Sequence, residues 1–164
     1  KPRLARSGLS NVHPAAIAHE RDDRVKRLAG KIDRVLVDSP CSGLGTLRRN
    51  PDLKWRQSPK SVEELVVKQS AILASAARLL KVGGRLVYAT CSILPQENEE
   101  IAEAFSAAHP DFELLDASEV LEQLKVENAQ SLCSGGVSGS ADLRLWPHVH
   151  HTDGFFAAVW QKKG

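Results

Sequence analysis

The chain has 164 residues, of which 42% are hydrophobic and 26% charged, the proportions of an ordinary globular protein with one domain and a core of its own. Its 3 cysteines, Cys41, Cys91 and Cys133, are widely spaced and form no C-x-x-C pair, which argues against a disulfide framework and against a cysteine-rich zinc site. No run of about 18 apolar residues occurs, and the basic stretch from Lys1 to Arg6 lacks the apolar centre of a secretion signal, so the expectation is a cytoplasmic protein with no membrane partner.

The net charge of +2 conceals an asymmetry. Residues 1–60 hold 14 Lys and Arg against 6 Asp and Glu, and residues 61–164 hold 8 against 14. A basic first third suits a phosphate-facing surface, although solvated helix faces also collect such charge. There is no methionine and the first residue is Lys1, so the sequence reads as a piece of a longer protein.

In chain order, Arg3 to Gly8 reads as the last turn of a helix, with Gly8 as its left-handed stop. Ala15 to Ala18 predicts a short strand, followed by the charged turn Glu20 to Arg24 and an amphipathic stretch through Leu28. Arg34-Val35-Leu36-Val37 is a stronger strand, closed at Asp38 by Ser39-Pro40. After a loop rich in Gly, Pro and Arg, Ser61 to Glu64 reads as a capping box. It opens a long helix in which Leu65, Ile72, Leu73, Ala76, Leu79 and Leu80 keep helical spacing until Gly83-Gly84.

Arg85 to Thr90 is the next strand, and the succession strand, helix, strand predicts a right-handed parallel crossover that sets both strand ends at one edge. Pro95 to Ala108 predicts a second helix with Glu97, Glu99 and Glu100 at its start, where the helix dipole favours negative charge. Phe112 to Leu115 is a third strand, Ser118 to Val126 a short helix, Gly135 to Ser140 a loop and Phe155 to Trp160 a last strand. The architecture expected is a three-layer α/β sheet with its strands buried on both faces and its ligands beyond their carboxyl ends.

Two thiols stand at those ends, in Asp38-Ser39-Pro40-Cys41-Ser42-Gly43 and in Thr90-Cys91-Ser92. A cysteine just past a strand, on a loop fixed by Pro and Gly, is placed as a nucleophile is, and neighbouring Arg or a helix dipole lowers a thiol's pKa. Two of them on neighbouring strands, one beside an Asp, are harder to attribute to packing than one. The residues alone divide the roles evenly. Cys133, in a Ser- and Gly-rich stretch, is given none.

The chain resembles the RNA 5-methylcytosine methyltransferases of the bacterial Sun type and their eukaryotic nucleolar relatives. The resemblance rests on Asp38 to Gly43, on Arg48-Arg49-Asn50-Pro51-Asp52 with Lys54-Trp55, on Tyr88 to Ser92 with Pro95, Glu97 and Asn98, and on Asp153-Gly154-Phe155-Phe156. Ser39 stands where that family more often has Ala. The fold implied is a Rossmann-like S-adenosylmethionine-dependent methyltransferase sheet, present as its C-terminal part with the first two strands missing, over residues 1–164 as a single domain.

The resemblance implies that Cys91 adds to carbon 6 of cytosine and that Cys41 assists its release, whereas DNA cytosine methyltransferases use the cysteine of the Pro-Cys pair as nucleophile. The same resemblance implies that Asp38 lies between cofactor and base, where it would bond the base's ring edge. Asp22, Asp38 and Pro40 are the cofactor contacts implied, with Asp23 the competitor of Asp22. The substrate implied is RNA, ribosomal RNA first and transfer RNA second.

Arg48, Arg49 and Lys54 form a basic cluster suited to phosphate contact, while Trp55 reads slightly better as a packing anchor than as a base platform. The target cytosine must be unpaired or flipped. His148, His150 and His151 lack the companions of a metal site, and none is expected. A glycine-rich cofactor turn after a first strand is also lacking, because Gly83-Gly84 precedes a strand. From this the chain alone is expected to bind S-adenosylmethionine weakly and to be inactive, with residues 1–30 displaced, mobile or paired with a second copy. The competing expectation is a non-catalytic RNA-binding module that keeps the fold. A thiol-redox enzyme is a distant third, for want of redox spacing.

Overall fold

A computed structural model describes residues 2–135 and 139–164. The middle of the expected loop at Gly135 to Ser140, residues 136–138, lies outside the described residues. In chain order the elements begin with α1 (Pro2–Ser7), α2 (Asp23–Lys26) and β1 (Ile32–Asp38), then α3 (Leu53–Arg56), α4 (Pro59–Ala77) and β2 (Leu80–Thr90). There follow α5 (Glu99–Ala108), β3 (Phe112–Leu115), α6 (Ala117–Gln123), β4 (Cys133–Gly135), β5 (Ala141–Leu145), α7 (Pro147–His150) and β6 (Phe155–Lys162). Gly8 follows α1 at φ 68°, the left-handed stop that its position predicts.

One 6-stranded sheet runs in the order β1-β2-β6-β5-β4, with β3 also on β6. The expected parallel crossover is present: Arg34 to Asp38 lie opposite Arg85 to Ala89. The other pairings are antiparallel. β3 occupies the stretch of β6 from Val159 to Lys162, and β5 the stretch from Phe155 to Ala157, so the two share one edge of the same strand. The strands were expected to be buried on both faces, and β1 is not. It pairs with β2 alone; of its residues Val37 is buried and Leu36, on the opposite face, is 67% exposed.

The core lies between the sheet and helices α4 and α5. Paired positions of a sheet share a face, so Val37, Tyr88 and Ala158 form one row and Leu86 and Trp160 the next, all buried. Leu73, Ala76 and Ala77 of α4 and Ile101, Ala102 and Phe105 of α5 close over them. Trp160 is fully buried and its indole N–H donates to Ser106 Oγ at 2.9 Å, so its polar edge is satisfied.

Several boundaries differ from expectation, each for a local reason. Helix α4 starts at Pro59, not at a capping box on Ser61. Pro59 has no N–H to lose at the first helical position, and Ser58 and Ser61 cap each other's amides, with Ser61 in the place usually held by Glu. Its end comes at Ala77, and Gly83-Gly84 fall inside β2, where pairing jumps from Ile32–Leu80 to Arg34–Arg85. In this bulge Gly83 has φ 77°, and a Cβ on Gly84 would stand 2.8 Å from Lys81 O.

The helix expected from Pro95 is broken at Asn98, into a 3₁₀ turn Pro95–Glu97 and α5. The Asn98 side chain accepts from Thr90 Oγ1 at 2.5 Å and donates to Ser92 O at 3.1 Å, holding the break against the end of β2. Ala15 to Ala18 form no strand; β1 pairs only with β2, and the Ala18 amide donates to Asp22 instead. Among the described residues no helix is long and apolar enough to cross a membrane.

Leu86 sits in the middle of this core with no exposure. Leu86→Ala is expected to lower unfolding stability by about 2–5 kcal/mol, read as a fall in denaturant midpoint at constant slope. Leu36→Ala, on the exposed face, is expected to stay within about 1 kcal/mol of the parent. Equal losses would misplace the core.

Candidate active site

The register of β1 against β2 continues one residue past the strand, where Ser39 N–H donates to Ala89 O at 2.9 Å. The two chains therefore leave the sheet side by side. Cys41 and Cys91, 50 residues apart in sequence, end with their Sγ atoms 3.5 Å apart, both half-buried. Asp38, the last residue of β1, is exposed beside them.

Beneath the thiols lies Glu97, fully buried. Its Oε1 accepts from Ser42 N–H at 2.8 Å and from Gln69 Nε2 at 3.0 Å. Its Oε2 accepts from the hydroxyls of Ser42 and Ser92, both at 2.5 Å. The Tyr88 hydroxyl donates to Glu97 O at 2.6 Å, and Gln69 Nε2 also donates to Pro40 O at 2.9 Å. Pro40 is thereby held by its carbonyl, with its ring exposed.

A third loop closes on the first two through glycines. Gly45 N–H donates to Cys91 O at 2.9 Å, and Gly154 N–H donates to Gly45 O at 2.8 Å. A Cβ on Gly45 would fall 2.7 Å from Cys91 O, and one on Gly154 would fall 2.9 Å from Ile93 Cγ2. Only hydrogens fit between these backbones.

The thiols titrate apart. The Cys91 thiol is lowered to about 7, chiefly because the Cys41 S–H donates to its sulfur; burial and the charges of Asp38 and Glu97 oppose the shift. Cys41 is raised, by that same hydrogen bond, by burial and by the negative charge that Cys91 gains. Cys133, in β4, is half-buried and raised by burial first.

Arg48 and Arg49, expected to meet phosphate, are both tied to the third loop. Arg49 pairs with Asp153, whose side chain is buried, and Arg48 Nε lies 3.9 Å from the same carboxylate. Arg48 Nη1 also donates to His151 O at 2.9 Å. The rest of both guanidinium side chains faces solvent. Trp55 is no packing anchor: it is 80% exposed, with Lys54 Nζ 4.9 Å above its ring. The short helix α3 carries it outward into solvent.

Asp22 caps α2, accepting from Arg24 N–H at 2.9 Å and Ala18 N–H at 3.1 Å, and those amides, Arg24's first, hold its carboxyl below the usual value. His150 is held at both ring nitrogens, by Trp146 N–H at 2.9 Å and Ser131 O at 2.9 Å. Sequence reading gave Glu97 only the part of a charge at a helix start, although its place in the Pro95, Glu97, Asn98 motif marked it. Arg144 was passed over entirely: it is buried, 3.0 Å from Glu99 Oε1, with its guanidinium carbon 4.7 Å from the Trp146 ring centre and 5.5 Å from that of Phe156.

A sheet with one parallel crossover, antiparallel final strands and its thiols at the crossover's carboxyl edge is of the methyltransferase type. It superposes on a methyltransferase homologue protein from Pyrococcus horikoshii with a TM-score of 0.73 at 26% identity, covering 98% of this chain and 48% of that one. NSun6 from Pyrococcus horikoshii, crystallised with SFG, gives 0.75 at 28% identity over 99% of this chain and 38% of its own. Residues 4–161 match the model of the family described as 16S rRNA methyltransferase RsmB/F, and the chain belongs to that family. A relative described as a probable ribosomal RNA small subunit methyltransferase B, from Synechocystis, is 44% identical over 131 residues, which is 80% of this chain. The chain spans 27% of that relative's length.

The thiol pair makes a direct test. Alkylation of Cys91 by iodoacetamide, followed by peptide mass spectrometry, is expected to rise with pH through a midpoint of about 7, since only the thiolate reacts. Cys41→Ala removes the largest lowering contact, so the midpoint should move up toward the free-thiol value of about 8.5. A midpoint unmoved by that substitution would show that Cys41 does not act on Cys91.

Proposed function

We propose that the protein methylates carbon 5 of cytosine in RNA, ribosomal RNA before transfer RNA, with S-adenosylmethionine as cofactor and through a covalent cysteine adduct. The observation that carries this reading is the 3.5 Å thiol pair at the parallel edge, and the lowering of the Cys91 thiol by its Cys41 neighbour agrees with it. Carbon 5 of cytosine is a weak nucleophile. Addition of the Cys91 thiolate to carbon 6 makes the ring an enamine with electron density at carbon 5. Once carbon 5 carries its new methyl group, transfer of the carbon 5 proton to a solvent base and breaking of the bond from carbon 6 to sulfur, whose electron pair leaves with the thiolate, restore the aromatic ring. Cys41, whose raised thiol stays protonated, is the neighbour that stabilises the departing thiolate with its S–H.

S-adenosylmethionine supplies an electrophilic methyl group when bound. The chain offers part of its site: a cavity of about 270 Å³ at the unpaired edge of β1, between that strand and α4, lined among others by Glu20, Val37, Asp38, Ile72 and Leu79. Apolar walls with carboxylates at the edge fit an adenosyl group bearing a sulfonium. Asp38 is the residue shared between this cavity and the thiols, and Pro40 stands beside it. Asp22 contributes only by releasing the amides it caps, and Glu20 is the carboxylate better placed. SFG, an analogue of S-adenosylmethionine, in the Pyrococcus NSun6 structure supports the choice of cofactor.

RNA is held by Lys54 with Trp55 and by the free sides of Arg48 and Arg49, on the loop that follows Cys41. The test is covalent trapping of the full-length protein on RNA containing 5-fluorocytosine, where the fluorine blocks loss of the carbon 5 substituent. A denaturation-resistant adduct is expected in the parent, and its loss by about 100-fold or more in Cys91→Ala. Cys41→Ala should still form it above pH 9, and on ordinary cytosine should accumulate it. An adduct that survives Cys91→Ala sinks the assignment, and RNA binding with no adduct in any variant marks a non-catalytic binding module.

A further inference from the structure

Glu97 is the one fully buried carboxylate in contact with both cysteine loops among the described residues, and neither addition nor release uses it. Removing a carboxylate from water is costly unless donors surround it, and four do. Two come from Ser42, the residue after Cys41, and one from Ser92, the residue after Cys91. The fourth, Gln69 of α4, also holds Pro40 O, the residue before Cys41. Each cysteine is therefore one residue from a contact anchored on the same side chain.

We propose that Glu97 is a positioning residue, a strap that fixes the distance between Cys41 and Cys91 by its hydrogen bonds rather than by its charge. The geometry separates the two. Oε1 faces an amide N–H and a carboxamide NH₂, which can only donate, whereas Oε2 faces two hydroxyls, which can also accept. An amide in place of the carboxylate keeps its carbonyl oxygen toward the first pair and turns its NH₂ toward the second. The strap survives and the charge is gone. With Ala at position 97, Ser42 N–H and the Gln69 amide lose their shared acceptor in a dry site, and the two loops lose their common anchor.

The proposal rests on the thiol-adduct reading only for its consequence in methylation, so its test starts from the thiols themselves. The full-length parent, Glu97→Gln, Glu97→Ala and the double variant Ser42→Ala/Ser92→Ala are treated with diamide. The two thiols close to a disulfide, giving up two protons and two electrons to the azo bond, which becomes a hydrazine; closure is followed by peptide mass spectrometry. Thiols in contact close quickly. Glu97→Gln should close within about threefold of the parent rate, and Glu97→Ala about tenfold or more slowly, since losses of this size follow small misplacements of reacting groups. Adduct formation on 5-fluorocytosine RNA should fall in the same order.

An unchanged closure rate in Glu97→Ala overturns the strap. So does a Gln variant as slow as the Ala variant, which would make charge the agent. Should Glu97→Ala fail to fold, the double Ser variant carries the test: it keeps the buried carboxylate with Ser42 N–H and Gln69 and should still slow closure. A parent that closes fast and shows the expected order, yet forms no RNA adduct, would end the methylation reading and leave the strap standing.

Discussion

Everything at the candidate site follows from the parallel register of β1 with β2. Antiparallel neighbours would send successive strand ends to opposite edges of the sheet, and loops 50 residues apart would not meet. Because these two run the same way and stop at matching positions, both thiol loops open at one edge. β6 then enters antiparallel to β2, so that its beginning, not its end, lies at that edge, and Gly154 just before it closes against Gly45. Two parallel strands and one reversed strand thus supply three loops to a single point. The glycines are fixed by that convergence, since three backbones meet with no room for a side chain.

The same convergence creates an electrostatic conflict. Two thiols and the carboxylates of Asp38 and Glu97 crowd one edge, and each negative charge works against ionising Cys91. A thiolate still forms near neutral pH because the partner thiol is close enough to donate, and the hydrogen bond outweighs the charges and the burial that oppose it. The cost falls on Cys41, which is held protonated. The contact itself is symmetric, and it is the unequal surroundings, Cys41 being the more desolvated thiol, that favour Cys91 as acceptor and Cys41 as donor. Strand-end spacing left these roles even, because burial is a tertiary quantity that spacing does not encode.

Much of the frame was legible in the residues. The apolar runs at Arg34 to Val37, Arg85 to Thr90, Phe112 to Leu115 and Phe155 to Trp160 all lie in strands, because continuous apolar stretches of that length have little alternative in a layered fold. What failed was the reading of glycine and of weak apolar runs. Gly83-Gly84 looked like a helix stop, yet Leu79 and Leu80, counted as helical, already belong to the turn and to β2. A bulge and a helix end ask the same thing of a glycine, a positive φ, and only the partner strand distinguishes them. β4 was missed because its Ser- and Gly-rich sequence has little strand propensity of its own, and β5 because Asp142 and Arg144 interrupt its apolar residues; pairing of β5 with the beginning of β6, and of β4 with β5, makes up the difference. The placement of Cys41, Cys91 and Asp38 at one edge of the sheet was legible from their strand-end positions. Glu97 was not, because a glutamate at a helix start reads as a dipole partner until Asn98 breaks the helix and turns it inward.

On the proposed reading, the two arginines of the basic loop after Cys41 are the part of the function least separable from the fold. Arg48 and Arg49 each serve the fold, since Asp153 is buried and depends on them, and they also present charge to solvent. The exposure of both arginines keeps the direct worth of these pairs small, yet removing Arg49 strips a buried carboxylate of its nearest cation and loosens the Asp153-Gly154 corner that packs on Gly45. Loss of RNA binding on such a change would mix lost phosphate contact with a displaced active-site loop. Lys54 is different in kind: it lies over an exposed indole, and among the described residues it pairs with no buried carboxylate. On the proposed reading, a contact to RNA made by Lys54 and Trp55 is therefore separable from the fold, and a change at Lys54 tests phosphate neutralisation, through the salt dependence of binding, without the share that the arginines have in the fold.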